Sequence, residues 1–169
     1  SYTWDTANKR LLVPASGGKP LNCPIPFIPG RATMTLSWTG DGPSQTAMFF
    51  RVGSVLYKLY FLRESGREGS SAAILFNVNT AKVITYIGGF NTSTGVKQRL
   101  GFEFDGNNVR LVAGNYRGDW IPTTGVINHI SIRCEGLVTS YIEDLTYLPS
   151  ISYSDDFSTD TTERYQPVL

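Results

Sequence analysis

The chain has 169 residues, and its 15 Lys and Arg against 14 Asp and Glu leave a formal net charge of +1. No summed positive field is available to hold a phosphate backbone or an anionic bilayer, so nucleic acid is excluded as an expected partner. Membrane insertion is excluded with it, because no apolar run approaches the roughly 18 residues of a spanning helix. With 41% hydrophobic and only 17% charged residues, the chain can bury one core beneath a surface rich in Ser, Thr, Asn and Tyr, which suits neutral ligands.

In chain order the local signal is strand almost everywhere. After Leu11 to Val13, the stretch Leu21 to Gly30 mixes three prolines with Ile25, Phe27 and Ile28. It is expected to cross a sheet edge while burying those three side chains. Met34, Leu36 and Trp38 then alternate with Thr33, Thr35 and Ser37, so one face is buried and the other wet. Ala47 to Val52 and Val55 to Leu62 are joined at Gly53-Ser54 as a hairpin. Ile74, Phe76 and Val78 alternate with Leu75, Asn77 and Asn79, and Val83 to Ile87 reads as the next strand. Leu100, Phe102 and Phe104 lead through Asp105-Gly106-Asn107-Asn108 to Val109, Leu111 and Ala113, another hairpin. Ile130, Ile132 and Cys134 lead through Glu135-Gly136 to Val138, Ser140 and Ile142, read as a further hairpin, with Cys134 pointing inward. The expected fold is all-β: an antiparallel two-sheet β-sandwich of about ten strands with no substantial helix. It should occupy residues 1–148, with 149–169 an extended Ser/Thr/Asp-rich tail outside the core.

Catalytic chemistry needs convergent titratable groups, and the sequence is poor in them. The one histidine, His129, has the strand parity opposite to Ile130 and Ile132 and reads as a surface or packing residue rather than a general base. Cys23 and Cys134 are not spaced as a zinc pair, and a disulfide between them is left open. Asp155, Asp156 and Asp160 lack a calcium-loop pattern, and Gly17-Gly18-Lys19 precedes no helix that would make it a phosphate loop. Two carboxyl pairs, Glu103 with Asp105 and Glu143 with Asp144, are the candidates for glycoside hydrolysis; the first shares a strand face and the second points to opposite faces. The sequence therefore predicts no catalytic residue, no metal and no cofactor. Asn91-Thr92-Ser93 matches an N-glycosylation acceptor in a loop.

What remains suits sugar: flat aromatics for the C–H face of a ring, and amide, hydroxyl and guanidinium groups for its hydroxyls. Arg63, Asn77, Asn79, Lys82, Thr85, Arg117 and Trp120 are the expected ligand-binding residues, converging on one open sheet face. Against this stands the plain reading, in which the asparagines only solvate a wet face, Arg63 pairs with Glu64 or Glu68, and Trp120 plugs the edge of the core.

The second half of the chain, RLGFEFDGNNVRLVAGNYRGDW followed by GVINHISIRCEGLVTSYIED, resembles the carboxy-terminal half of a galectin-type carbohydrate-recognition domain. Pro24-Ile25-Pro26-Phe27 and Gly30 resemble that family's entry segment. The family's His-x-Asn-x-Arg strand and Trp-Gly-x-Glu segment do not occur. The resemblance implies a galectin-like jelly roll and non-enzymatic glycan binding, as in the attachment heads of viral spikes and fibres. It further implies a cell-surface glycan or glycoprotein as partner and an extracellular or virion-surface setting, within a homo-oligomer or a larger multidomain protein. The alternatives are a structural capsid or interaction domain without sugar binding, and a glycoside hydrolase on a similar sandwich.

Overall fold

The computed structural model describes residues 1–15, 18–23, 28–148, 153–162 and 165–167, with the backbone alone at 153–154 and 166–167. Sixteen strands are present among the described residues: β1 (Thr3–Asp5), β2 (Arg10–Val13), β3 (Leu21–Asn22), β4 (Gly30–Trp38), β5 (Thr46–Val52), β6 (Val55–Leu62), β7 (Ser71–Asn77), β8 (Lys82–Phe90), β9 (Gln98–Phe104), β10 (Asn108–Ala113), β11 (Tyr116–Arg117), β12 (Ile121–Pro122), β13 (Ile127–Cys134), β14 (Ser140–Tyr147), β15 (Tyr153–Asp155) and β16 (Gln166–Pro167). The expected count of ten omitted the shortest of these. Two antiparallel sheets form a sandwich, and no α-helix occurs among the described residues. Sheet I runs β1-β2-β14-β4-β9-β10-β11, with β12 added to β10 and β15 to β14; sheet II runs β16-β3-β13-β5-β6-β7-β8.

Period-two alternation places the core between the sheets. Met34, Leu36 and Trp38 of β4 face Met48, Phe50 and Val52 of β5 and Tyr57, Leu59 and Phe61 of β6 in one buried cluster. Phe50 stacks on Phe102 with ring centroids 4.0 Å apart, joining the two sheets through an aromatic pair. The β5–β6 hairpin forms as its Gly53-Ser54 turn predicts, with Gly53 at φ +59°, where a side chain is strained. The β9–β10 hairpin forms as well, and Cys134 lies buried in the core. Cys23 and Cys134 are both free thiols.

Three expectations are corrected. Residues 130–142 do not form a hairpin: β13 pairs with β3 and β5 in sheet II, whereas β14 pairs with β2, β4 and β15 in sheet I. Glu135-Gly136 is therefore a crossing between sheets, and a Cβ at Gly136 would lie 2.3 Å from the Cα of Ser44. Only glycine allows that approach.

The segment after 148 is not a tail outside the core where it is described. β15 adds to β14 and β16 adds to β3, while Phe157 and Tyr165 are 1% and 4% exposed within the main core cluster. The buried Asp155 carboxylate organises the segment, accepting hydrogen bonds from the Phe157 amide (2.9 Å), the Thr161 hydroxyl (2.5 Å) and the Tyr165 hydroxyl (2.9 Å). Polar composition suggests solvation, but here the polar groups satisfy one another around two aromatic anchors.

In the proline-rich stretch, Leu21 and Asn22 do form a short strand of sheet II, but Ile28 is 37% exposed rather than buried. Ile25 and Phe27 lie outside the described residues.

Candidate functional site

The expected binding residues do not converge on one face. Arg63 is 1% exposed: its Nε donates to the Thr92 carbonyl (2.9 Å), one terminal nitrogen to the Gly42 carbonyl (2.7 Å), and the other to the Gly40 carbonyl. Its fork is filled by backbone acceptors rather than by Glu64 or Glu68, so it cannot meet a ligand. Asn77 accepts from the Thr80 amide (3.1 Å), and Asn79 accepts from the Leu56 amide (2.8 Å) while donating to the Ser54 carbonyl (3.4 Å). Asn77 closes its own turn, as short amide side chains do, while Asn79 ties that turn to the start of β6 and the Gly53-Ser54 turn. Lys82 is exposed across from Asn77 at the start of β8. Thr85 pairs with core-facing Leu75, and its methyl lies 2.8 Å from where a Cβ at Gly118 would stand. Thr85 therefore packs between the sheets at their edge.

Arg117 and Trp120 do come together, on the outer face of sheet I around Glu103. Arg117 and Arg110 both pair with that carboxylate (2.8 and 3.2 Å), and the Arg110 guanidinium lies 4.1 Å from the centre of the Trp120 ring. The tryptophan face is thus already stacked. Burial pushes the Glu103 carboxyl up, but hydrogen bonds from Arg117 and Arg110 outweigh it and hold Glu103 below the ordinary carboxylate range. Asp105 is also held low, by the amide of Asn107 and the side chain and amide of Asn108, whose turn it closes. Glu143 pairs with Lys97 at 2.9 Å. Among the described residues no three His, Cys, Asp or Glu side chains gather as metal ligands.

A larger concavity than these contacts leave lies elsewhere, on the outward side of β4 that the Thr33, Thr35 and Ser37 alternation marks, although Thr33 and Ser37 are buried there (3% and 7% exposed) rather than wet. A groove of about 430 Å³ there is lined by Asn8, Arg10, Ser37, Tyr141, Lys97 and Glu143, with Trp38, Thr39, Thr94 and Gly95 closing one end. Strand parity builds it: Tyr141 and Glu143 point away from the core because Ile142 points into it, and Tyr141 lies opposite Ser37 and Leu12. Arg10 stacks on Tyr141 at 3.7 Å from the ring centre, and Asp5 holds both Arg10 (2.9 Å) and the Asn8 amide group (2.8 Å). Those hydrogen bonds, from Asn8 first and then Arg10, keep the Asp5 carboxyl below its ordinary range. Trp38 keeps a buried indole N–H with no acceptor among the described residues.

Arg63 shapes this groove from behind. Its three carbonyl partners belong to the loops after β4 and β8, which carry Thr39, Thr94 and Gly95 to the groove end. The Gly95 amide donates to the Trp38 carbonyl (3.3 Å), tying the second loop to the first strand. Asn8, Arg10, Lys97 and Tyr141 were missed because they come from three separate stretches of chain, and only the Thr33, Thr35 and Ser37 alternation of β4 pointed to their meeting place.

A second, smaller concavity of about 170 Å³ lies on the outer face of sheet II, lined by Pro20, Phe49, Arg51, Leu56, His129, Ser131 and Arg133. His129 faces outward as its parity predicts, with its Nε2 3.1 Å from the Ser131 hydroxyl. Burial, and then the neighbouring Arg51 charge, push its pKa below the ordinary 6.5.

No family model matches the chain, and no curated protein matches it. Among solved structures it is similar to a carbohydrate-binding module from Bacillus subtilis, at 12% identity over 83% of this chain and 82% of that one, with a TM-score of 0.53. Other similar structures are a Caenorhabditis elegans galectin (14% identity, 80% of this chain and 96% of that one, TM-score 0.46) and a Bacillus licheniformis β-glucanase (7%, 79% and 74%, 0.48). At these identities the likeness to the Bacillus subtilis module is one of fold: an antiparallel two-sheet β-sandwich.

Proposed function

We propose that this chain is a non-enzymatic glycan-binding sandwich and that the groove on sheet I takes a neutral sugar. The observation that carries the reading is the groove's chemistry. Hydroxyl, amide and aromatic groups line it, and its two cations are already neutralised, Arg10 by Asp5 and Lys97 by Glu143. Such a surface offers polarised donors and acceptors without a net charge, which is what a ligand of many hydroxyls and no ionised group requires. The similar Bacillus subtilis module is itself a carbohydrate-binding one, which agrees with the reading.

The Glu103 and Asp105 pair does not favour hydrolysis, because a glycosidase acid must hold its proton near neutral pH, whereas Glu103 is committed to Arg110 and Arg117 and both carboxyls are held below the ordinary carboxylate range. In this reading the partner is a cell-surface glycan or glycoprotein and the setting extracellular or virion-surface, the chain serving as an attachment head. A glycan array followed by ¹⁵N-resolved titration tests it. Neutral oligosaccharides should shift the amides of Ser37, Lys97 and Tyr141; an array without a neutral binder overturns the reading.

A second reading, protein contact, is favoured by the edge strand β8, where Val83 and Tyr86 are exposed. A dimer in light scattering that dissociates on Tyr86→Ser would favour it.

A further inference from the structure

The pocket on sheet II differs from the groove in its charge. Arg51 donates one terminal nitrogen to the Ser54 carbonyl (3.2 Å) and has no carboxylate partner among the described residues. Arg133 shares Glu135 with Lys58, and its own Nε, buried, has no acceptor among the described residues. This face therefore gathers Arg51, Lys58 and Arg133 against the single carboxylate Glu135, and no described residue lining the pocket is acidic. Electrostatic excess is concentrated where the surface is concave, which strengthens its pull on an anion.

The remaining lining is that of a ring-binding site. Leu56 and the largely buried Phe49, whose ring already carries the Arg133 guanidinium 5.1 Å from its centre, provide an apolar floor on β6 and β5, and Pro20 provides one wall. Register explains the assembly: Ser131 lies opposite Phe49, and His129 opposite Arg51, on adjacent strands β13 and β5. The Ser131 hydroxyl and His129 imidazole thus stand beside the guanidinium as neutral hydrogen-bonding partners. A volume of about 170 Å³ is small beside a drug-sized pocket, so it admits a single ring rather than an oligosaccharide chain.

We infer that this pocket is a second sugar site, selective for a monosaccharide unit that carries a carboxylate, with Arg51 as the carboxylate's partner and Phe49 and Leu56 beneath the ring. A planar guanidinium with free N–H groups matches a carboxylate in a way that a hydroxyl cannot, so the acidic group sets the selectivity. The inference lies on the opposite sheet from the neutral-sugar groove and stands without it.

The test is ¹⁵N-resolved titration of the full chain with methyl β-D-glucuronide, methyl β-D-glucoside and sodium acetate, each alone. The glucuronide should shift the Arg51 side-chain N–H and the Ser131 amide. Both the neutral glucoside and acetate should bind about tenfold more weakly or worse, the first for want of charge and the second for want of a ring. Arg51→Gln should weaken the glucuronide by about tenfold or more. Arg51→Lys, which keeps the charge but not the fork, should lie in between, with the remaining amide spectrum of both variants unchanged. Acetate binding as tightly as the glucuronide, an Arg51→Gln variant with unaltered affinity, or no shift at Arg51 and Ser131 would each overturn the inference. Shifts at Tyr141 and Lys97 report the groove on sheet I separately, so failure of either site leaves the other measurable.

Discussion

The outer faces of the two sheets both carry arginine and lysine, yet they treat those charges differently. In the groove on sheet I each cation has a carboxylate of its own, Arg10 with Asp5 and Lys97 with Glu143. On sheet II one carboxylate, Glu135, serves both Lys58 and Arg133, and Arg51 faces a concavity without an acid. A formal net charge of +1 hides this difference, because the sum over the chain averages a groove whose cations are each paired with a pocket in which Arg51 is not. Which face a ligand chooses is decided by local pairing, and total charge says nothing about it.

The comparison breaks most severely at Arg63. Replacing it by alanine leaves the Gly40, Gly42 and Thr92 carbonyls without their donors and opens a cavity where a fully buried side chain stood. We expect a loss of about 3 kcal/mol or more in urea unfolding. Neutral-sugar binding on sheet I should be lost with it, because Thr39, Thr94 and Gly95 lose their support. The Arg51 pocket should keep its ligand at temperatures where the variant stays folded. Equal loss at both pockets would mean that Arg63 supports the sandwich as a whole rather than one groove end.

Next in size is Tyr141→Ala, which removes the ring on which Arg10 lies and an aromatic wall of the groove. It should cost neutral-sugar binding about 2 kcal/mol by calorimetry, with glucuronide binding on sheet II unchanged. A similar loss for both ligands would show a single site where two are drawn.

Much of the fold was legible because it rests on alternation. Met34, Leu36 and Trp38, or Leu100, Phe102 and Phe104, name their own buried face, and the Gly53-Ser54 turn names its hairpin. Local pattern could not tell β13 to β14 from a hairpin, since two strands joined by a short glycine loop look alike whether they pair or change sheets. What distinguishes them is the pairing of β13 with β5 and of β14 with β4, contacts made far away in sequence, with Gly136 passing close by Ser44 at the crossing. The C-terminal segment was misread for a related reason: Asp155, Thr161 and Tyr165 are polar or amphipathic in composition but satisfied in place. The candidate site was the least legible. Asn77 and Asn79 have the side chains of a sugar site, yet their amides hold turns, and Arg63 has the right fork filled with carbonyls. Residue type reports what a side chain can bond, while only the fold reports what it has already bonded.

Salt gives a smaller and cleaner separation. Raising sodium chloride from about 0.1 M to 1 M shortens the screening length from about 10 Å to about 3 Å. Glucuronide binding beside Arg51 should therefore weaken severalfold, while neutral-sugar binding in the groove should stay nearly flat. Parallel slopes would remove the distinction between the two faces.

The smallest expected effect is that of pH, and its sign follows from His129. Its pKa is held below 6.5 in the folded chain, so near neutrality the imidazole beside Arg51 is uncharged. The unfolded chain takes up this proton at a higher pH than the folded chain does. Stability should therefore fall as pH drops below about 6.5, with the loss complete once pH passes below the folded value. The groups facing His129 are Arg51 from β5 and Ser131 and Arg133 from its own strand, with uncharged Leu56 from β6 and Pro20 completing the pocket. Protonation there adds a cation to a cationic pocket, which penalises the empty protein and is relieved by a bound carboxylate. Glucuronide affinity should then rise on acidification while its carboxylate stays ionised, and His129→Gln should flatten both the affinity and the stability profiles. On sheet I, Asp5 is held ionised to below its ordinary range, so neutral-sugar affinity should not change over the same interval. A groove that strengthened on acidification in step with the pocket would mean that His129 reports the sandwich as a whole and not the charge of one face.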